Sequence, residues 1–512
     1  MSSEASAPAL PPRVPWVLPA LALGTVALHL LFAGGYGYFR DELYFLACGQ
    51  RLSWGYVDQP PFIALVARLV DVLFGESLVG VRTPPALAAG ALVALTGWLA
   101  HRLGGGTFAI ALAGLAVALA PVNLAFGQML TMNAFEPLFW MGCAALLVRM
   151  VRTDERRLWL AVGGLVGLGV LNKHSMGFFA VCLALGLLLT PERRLMASRW
   201  LWLGALLAVL LVLPHVLWQF SNGWPMLELL RNGQLYKNAP FELGEFLAGQ
   251  RLLLHPLYLP LWLAGLGALL FSRALRPYRA LGLAYVLLLG LYILLKAKAY
   301  YMGPVYPMLF AAGAGVLERF IRGPRFRTTV LAVVVAGGAA LMPMVIPVLP
   351  VERFIAYQRM LGLEPPRTER HRMGALPQHF ADQHGWRELV AAVAQVYRSL
   401  PPEQQARTAI FAQNYGQAGA IDWLGREHGL PPARSGHNHY FLWGPGEMEP
   451  QVLLIIGGEA EDHTEECTQL EVAARMPHNP YVMPYEDELQ LYLCRGLKQP
   501  LATLWPRVKH YQ

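Results

Sequence analysis

Long apolar runs recur before residue 350 of this 512-residue chain and limit its fold more than any other feature. A run of about 17–25 apolar residues can cross a bilayer as an α-helix. Charged residues make up 14% of the chain, against roughly 25% in soluble domains. The runs therefore predict about eleven membrane-spanning helices. Their approximate bounds are 16–33, 79–100, 108–124, 132–147, 158–171, 176–189, 200–218, 256–271, 281–295, 302–317 and 328–349.

The connections between these runs alternate between arginine-rich and arginine-poor segments. Basic connections lie in the cytoplasm by the positive-inside rule. With an odd number of spans and the N-terminus inside, the C-terminal part is then expected outside the cytoplasm. The arginines concerned are Arg149, Arg152, Arg156, Arg157, Arg193, Arg194, Arg199, Arg273, Arg276, Arg279, Arg319, Arg322, Arg325 and Arg327.

The net charge of +8 has the same origin. Residues 351–512 contain 15 Lys and Arg against 19 Asp and Glu, which leaves 26 against 14 in residues 1–350. The basic surplus therefore belongs to the membrane part and follows from its topology. A nucleic-acid partner gains no support from it.

Residues 351–512 form a different kind of domain from residues 1–350. Helical periodicity over 386–400, a strand at 408–412, a helix at 419–424 and a buried strand at 451–456 predict a small α/β domain. The stretch Glu364-Pro365-Pro366-Arg367 is expected to join it to the membrane part. Cys467 and Cys494 both fall in this domain, where the extracytoplasmic compartment permits a disulfide, although spacing alone does not decide whether one forms.

Charged residues cluster at the predicted outer helix ends. Asp41 and Glu42 follow Arg40 just past the first span, and the turn Asp58-Gln59 precedes Pro60-Pro61. Such groups are costly beside hydrocarbon unless function needs them, although a solvated loop end or an Arg40 salt bridge would explain them structurally. A carboxylate can accept a proton from an incoming hydroxyl.

Lysines stand at the same predicted depth. Lys173-His174 interrupts one apolar stretch, and Lys296 and Lys298 precede Tyr300-Tyr301. One such lysine is easily explained as a snorkelling anchor. Lysines also bind phosphate as point charges, and a lipid phosphate entering from the bilayer would need them. Lys173, His174, Lys296, Lys298 and Tyr301 are therefore candidate substrate-binding residues.

Several strings resemble glycosyltransferase family 39, the protein mannosyltransferase-like family with the GT-C membrane fold, which includes lipid A aminoarabinose transferases. The resemblance covers most of residues 30–310 and part of the outer domain. It implies a mostly α, polytopic protein with a C-terminal extracytoplasmic α/β domain. It also implies Asp41 as catalytic base with Glu42 as its partner, and Lys173 near the donor phosphate. The strings are RDELYFLACGQRLSWGYVDQPPF, TMNAFEPLFW, LNKHSMGF, KAKAYYMGPVYP, NYGQAGAIDWLG and GLPPARSGHNHYFLWGP.

The chain departs from the family pattern at two places. Gln59 stands where the aminoarabinose transferases have a lysine, and Asn133 stands where many members have an acid. Glu136 follows Asn133 by one helical turn and shares its face, so it can replace that acid or cap a polar pocket. With Arg40 and Asp58, these residues complete the candidate substrate site. A sugar or acceptor different from that of lipid A modification is expected.

The resemblance implies an inverting transferase in a bacterial inner membrane, with its active site facing the periplasm. Its partners would be a polyprenyl-phosphate-linked sugar, membrane lipids, and an acceptor lipid, glycan or protein. A transporter or flippase of a lipid-linked substrate is the alternative, but polar groups collected at one face favour an enzyme. No cofactor is implied, and the sequence leaves a divalent metal open. His437 and His439 suit a metal only with further ligands, and a polar surface loop explains them better.

Overall fold

The structure is a computed structural model that describes residues 15–364 and 369–512. Pro365, Pro366 and Arg367 of the expected linker lie outside the described residues. In chain order the helices up to residue 341 are α1 (Val17–Phe32), α2 (Arg40–Gln50), α3 (Phe62–Phe74), α4 (Leu78–Arg102), α5 (Thr107–Leu119), α6 (Pro121–Gln128), α7 (Met132–Thr153), α8 (Leu158–Asn172), α9 (Ser175–Leu188), α10 (Arg199–Ser221), α11 (Pro225–Asn232), α12 (Leu243–Leu254), α13 (Leu259–Phe271), α14 (Arg279–Leu294), α15 (Tyr306–Phe320) and α16 (Pro324–Leu341).

The membrane-spanning character of the chain is visible in these helices. Among residues 15–364 and 369–512, five helical segments are long and apolar enough to cross a membrane: α4, α7, α10, Arg276–Leu294 and Pro324–Met344. Two bent pairs pass the same test together, and α1, α8 and α9 are shorter apolar helices. The chain is a multi-pass membrane protein, as the sequence predicts.

The bent pairs show where apolar sequence does not give one straight helix. The run predicted over 108–124 is divided into α5 and α6, which meet at 62°. Ala120 adopts an extended ψ of 128° because it precedes Pro121, whose ring disfavours a helical residue before it. The second bend, of 92°, lies between α12 and the segment that begins at Pro256.

The C-terminal part contains a mixed sheet with short helices. The strands are β1 (Thr408–Ala412), β2 (Ala433–Arg434), β3 (Val452–Ile456), β4 (Cys467–Arg475) and β5 (Gln490–Leu497), in the order β2-β1-β3-β5-β4. The pairs β1–β2 and β1–β3 are parallel, and β5 is antiparallel to β3 and β4. The structure joins Cys467 to Cys494, which links β4 to β5. The helices are α17 (Val351–Met360), α18 (Gln378–Ala381), α19 (Trp386–Ser399), α20 (Pro402–Gln405), α21 (Tyr415–Leu424), α22 (His439–Trp443), α23 (Ala460–Glu466) and α24 (Leu501–Leu504).

The chain divides into two compact units that are not contiguous in sequence. Unit 1 contains the described part of Met1–Ala33 with Arg82–Pro214 and Phe241–Val348. Unit 2 contains Gly34–Val81, His215–Pro240 and the described part of Leu349–Gln512. The helices α2 and α3 thus belong with the C-terminal sheet domain. The last passage from unit 1 to unit 2 lies between Val348 and Leu349.

Candidate functional site

Asp41 presents a partly exposed carboxylate in the first turn of α2. Its side chain is 33% exposed. The hydroxyl of Tyr415, the first residue of α21, donates a hydrogen bond of 2.8 Å to Asp41 Oδ1. Arg40 Nε lies 3.9 Å from the same oxygen. One carboxylate oxygen is therefore held, and Oδ2 carries neither contact.

Arg40 is bound within unit 2 by a second carboxylate. Its backbone N–H donates to the Asp382 carbonyl at 3.0 Å, and its Nε lies 3.8 Å from Asp382 Oδ2. Nη1 donates to the Tyr485 hydroxyl, which in turn donates to Asp382 Oδ1 at 3.2 Å. Burial raises the pKa of Asp382, and the Arg40 charge opposes that shift. This network fixes the start of α2, and hence the direction of Asp41.

Glu42 differs from its neighbour in exposure. Its side chain is fully buried, and Oε2 accepts the Phe39 backbone N–H at 2.8 Å. This contact satisfies one of the donors that the first turn of α2 leaves without a helical partner. Of the two adjacent acids, Asp41 is therefore the one with a partly exposed side chain.

The Asp58-Gln59 turn is tied to the same helix. Tyr44 of α2 donates a hydrogen bond of 2.7 Å to Asp58 Oδ1, and Asn438 Nδ2 lies 3.5 Å from Oδ2. Burial raises the pKa of Asp58 from 3.8 to about 6. The Gln59 side chain is fully buried, and the Gln59 backbone carbonyl accepts the Tyr56 backbone N–H at 3.0 Å. Asp58 and Asp41 are thus both contacted by tyrosines of the α2–α21 pair.

The loop at 435–440 also contacts the polar cluster of unit 2 that contains Asp41, Asp58, Tyr44 and Tyr415. The His437 ring lies 4.7 Å from the Tyr415 ring, and the His439 backbone N–H donates to the Tyr44 hydroxyl at 3.3 Å. Asn438 adopts a left-handed φ of 47° and reaches Asp58 from this conformation. The loop therefore lies against both tyrosines. Its histidines are not part of the one metal-capable group found among residues 15–364 and 369–512, which is the exposed set His478, Asp487 and Glu488.

A close helix crossing positions Tyr415 over α2. A Cβ atom at Gly419 of α21 would lie 2.8 Å from the Leu43 carbonyl carbon and 3.0 Å from the Tyr44 nitrogen. We expect Gly419→Ala to destabilise the protein by about 1–3 kcal/mol, since two backbones would have to separate. Thermal unfolding in detergent measures this. Gly290→Ala on α14 is the control, because nothing lies within 4 Å of that position. Equal melting temperatures for both variants would contradict the tight crossing.

Glu486 makes the free energy of unfolding depend on pH. Burial raises its pKa from 4.5 to about 7, while hydrogen bonds from Gln417 and Asn414 oppose the shift. Between these values the folded state keeps a proton that the unfolded chain has lost, so stability falls as pH rises through this window. Glu486→Gln should remove up to ~3 kcal/mol of that loss above pH 7. Melting temperatures at pH 5 and pH 8 test this, with exposed Glu447→Gln as control; parallel profiles for wild type and Glu486→Gln would contradict it.

Unit 1 carries a separate polar cluster around Lys173. Lys173 follows the last residue of α8, and its Nζ lies 2.8 Å from Asn133 Oδ1 and 2.9 Å from Glu136 Oε2. The Ser175 hydroxyl donates to Glu136 Oε1. Lys173 is 14% exposed and Glu136 is 1% exposed, so the ion pair is nearly enclosed.

Stacked aromatic rings fix the helices that supply this cluster. The Trp140 and Phe179 rings are parallel, with centroids 4.5 Å apart. Each follows a cluster residue by four positions, Trp140 after Glu136 and Phe179 after Ser175. Residues four apart share a helix face, so the stack holds α7 against α9 one turn beyond the polar contact.

Among the other residues predicted to bind the donor phosphate, Tyr301 contacts Lys173 through its ring. The Tyr301 ring centroid is 4.5 Å from Lys173 Nζ, and that of Tyr300 is 5.6 Å away. Half-buried Lys298 directly precedes the 3-10 segment Ala299–Val305 that carries both tyrosines. Exposed Lys296 lies in the preceding turn with a left-handed φ of 52°. His174 is the half-buried residue before α9.

Several residues of these clusters were missed by sequence reasoning. The string NYGQAGAIDWLG did resemble the family, but nothing in it marked Tyr415 as the partner of Asp41. Buried polar residues far apart in sequence give no local pattern. The missed residues are Tyr44, Ser175, Asp382, Tyr415, Asn438, Tyr485 and Glu486.

The chain has the GT-C fold. It superposes on the crystal structure of ArnT from Cupriavidus metallidurans bound to undecaprenyl phosphate with a TM-score of 0.62 and 14% identity, over 93% of this chain and 97% of that one. Against ArnT from the same organism in the apo state, the TM-score is 0.59 with 15% identity over the same shares.

A part of the chain also matches a sequence family. Residues 58–218 match the family described as dolichyl-phosphate-mannose-protein mannosyltransferase. No curated protein sequence matches the chain. The predicted resemblance to protein mannosyltransferase-like GT-C proteins is confirmed.

Proposed function

We propose that the chain is an inverting membrane glycosyltransferase that moves a sugar from a polyprenyl phosphate to a lipid, glycan or protein acceptor. The match of residues 58–218 to mannosyltransferases supports the reaction class. The likeness to an ArnT structure bound to undecaprenyl phosphate supports the class of donor. The observation that carries the proposal is Asp41, whose carboxylate is partly exposed while Tyr415 holds one of its oxygens.

In the proposed reaction, Asp41 is the general base. The acceptor hydroxyl oxygen attacks the anomeric carbon, and the bond from that carbon to the phosphate oxygen breaks. Asp41 Oδ2 takes the hydroxyl proton, and polyprenyl phosphate leaves with the bonding electron pair. A single displacement inverts the anomeric centre and needs one such base. Tyr415 and Arg40 act on Oδ1 and orient the carboxylate, while Asp58 and Gln59 are assigned to the substrate region beside it.

The donor phosphate is assigned to the Lys173 cluster. An ammonium group has three donors, and in Lys173 two of them are directed at Asn133 and Glu136. The third is then available for a phosphate oxygen, and Lys296 and Lys298 add positive charge. In this proposal Glu136 positions Lys173, and Tyr301 and His174 are further hydrogen-bond donors.

Residues 351–512 are proposed to lie outside the cytoplasm. The Cys467–Cys494 disulfide supports this, because disulfides persist in oxidising compartments. The arginine-rich connections support the same orientation. A reporter that is active only in the cytoplasm, fused after Gln512, should be inactive.

The function is tested with purified protein in proteoliposomes and a radiolabelled polyprenyl-phosphate sugar. We expect the label to move from the donor to a second lipid, glycan or protein, with release of unlabelled polyprenyl phosphate. Mass spectrometry of envelope lipids and glycans from a deletion strain would identify the acceptor. Label that crosses the bilayer but stays on its original lipid would establish a flippase instead.

A further inference from the structure

An apolar cavity of about 180 Å³ lies in unit 1, and Lys173, Glu136, Asn133 and Ser175 are not among its lining residues. It is bordered mainly by α8, α9 and the part of α10 within unit 1, with Cys143 of α7 and Met196 completing its wall. Small side chains leave the space open, since Ala180, Ala184, Ala205 and Ala208 all line it. Ala205 is exposed and Ala184 is half-buried, so the cavity opens at the surface of the helices.

The neighbouring helices cannot close this space by moving together. A Cβ atom at Gly163 would lie 2.0 Å from the Gly204 carbonyl oxygen, and one at Gly204 would lie 2.2 Å from the Trp159 carbonyl oxygen. The backbones of α8 and α10 are therefore already in contact. An empty apolar space loses dispersion contacts along its walls, so a hydrocarbon chain is its natural occupant.

Two arginines stand at one end of the cavity. Arg157 immediately precedes α8 and Arg199 begins α10, and both guanidinium groups lie on the Trp200 ring, at 5.5 Å and 5.1 Å from its centroid. Both are exposed. Within the described residues neither has a carboxylate partner, whereas nearby Arg149 and Arg156 are paired with Glu155 and Asp154.

The arginines are continuous with the cavity walls. Trp159 and Leu201 line the cavity and each follows one of the two arginines by two positions. From Arg157 to Val166, the last cavity residue on α8, the helix rises about 13 Å. That distance is close to the roughly 15 Å hydrocarbon thickness of one bilayer leaflet. Lys173 lies beyond the opposite end of α8, so this surface is distinct from the proposed donor site.

We propose that this cavity and the Arg157–Arg199 pair form a binding site for one anionic phospholipid. The arginines contact its phosphate, which guanidinium groups bind through several donors at once. One acyl chain fills the cavity between α8, α9 and α10. The assignment depends on charge and shape at this surface and not on the sugar-transfer reaction.

Native mass spectrometry of the full chain in detergent, titrated with phosphatidylglycerol or phosphatidylcholine, tests the site. We expect one phosphatidylglycerol to bind at least tenfold more tightly than phosphatidylcholine. Arg157→Gln with Arg199→Gln should abolish this preference. Ala184→Phe fills the cavity and should weaken binding at least tenfold with both arginines intact. Arg322→Gln with Arg325→Gln, two exposed arginines of another basic connection, should change nothing.

Three results would overturn the proposal. Equal affinity of the wild type for both lipids would remove the role of charge. A phosphatidylglycerol preference that survives the Arg157 and Arg199 replacements would do the same, even if Ala184→Phe fails to fold. Displacement of the bound lipid by an equal concentration of undecaprenyl phosphate would assign the cavity to the donor's tail.

Discussion

Asp41→Asn should lower the rate of sugar transfer about a hundredfold or more while the protein folds and binds its donor normally. Asparagine keeps the shape of the side chain and its oxygen still accepts the Tyr415 hydrogen bond. It cannot take up the proton of the acceptor hydroxyl at neutral pH. The transfer rate in proteoliposomes and the melting temperature of the same preparation are the two measurements.

Two matched variants show whether the effect belongs to Asp41 as a base. Tyr415→Phe removes only the orienting hydrogen bond to the Asp41 carboxylate, and a bond to a charged group contributes about 1.5–3 kcal/mol, so the rate should fall at most about a hundredfold. Glu42→Gln should act mainly on stability, because Glu42 is buried and bonded to the start of α2. A wild-type rate for Asp41→Asn beside an inactive but folded Glu42→Gln would show that the base is Glu42 and not Asp41.

The sequence distinguishes poorly between these two acids. Asp41 and Glu42 are adjacent and carry the same charge, so their roles depend on the direction each takes from the first turn of α2. The direction of Asp41 is set by the Arg40–Asp382 contacts and by Tyr415, which lies 374 positions later in the chain. A contact of this range leaves no periodicity or spacing signal, and only the tertiary structure separates a reachable carboxylate from a capping one.

More of the fold than of the candidate site could be predicted from the sequence. Apolar length predicts membrane helices because every backbone polar group must be satisfied within the bilayer. Short continuous apolar runs predict buried strands such as β1 and β3. Apolar length does not predict bends, which is why residues 108–124 read as one span although the chain turns before Pro121. Nor did the sequence indicate that α2 and α3 belong to the same compact unit as the C-terminal sheet.

The second large effect is expected at Lys173, because replacing this residue should change both the stability of the protein and its binding of the donor. Lys173→Met leaves the Glu136 carboxylate enclosed without its cation, which typically costs 3–5 kcal/mol. It also removes a charge-assisted contact to the donor phosphate, of about 1.5–3 kcal/mol. We therefore expect a large fall in melting temperature, together with a ten- to hundredfold rise in the donor Michaelis constant or a fall of the same size in turnover.

The double variant Lys173→Met with Glu136→Gln separates the effect on stability from the effect on donor binding. Removing both charges eliminates the uncompensated carboxylate, so the melting temperature should return most of the way to the wild-type value. Donor use should stay impaired, since no ammonium remains for the phosphate. Lys296→Met, at an exposed position, is the control and should affect stability little. If the double variant used donor at the wild-type rate, Lys173 would be only the structural partner of Glu136, and the phosphate would have to be bound elsewhere.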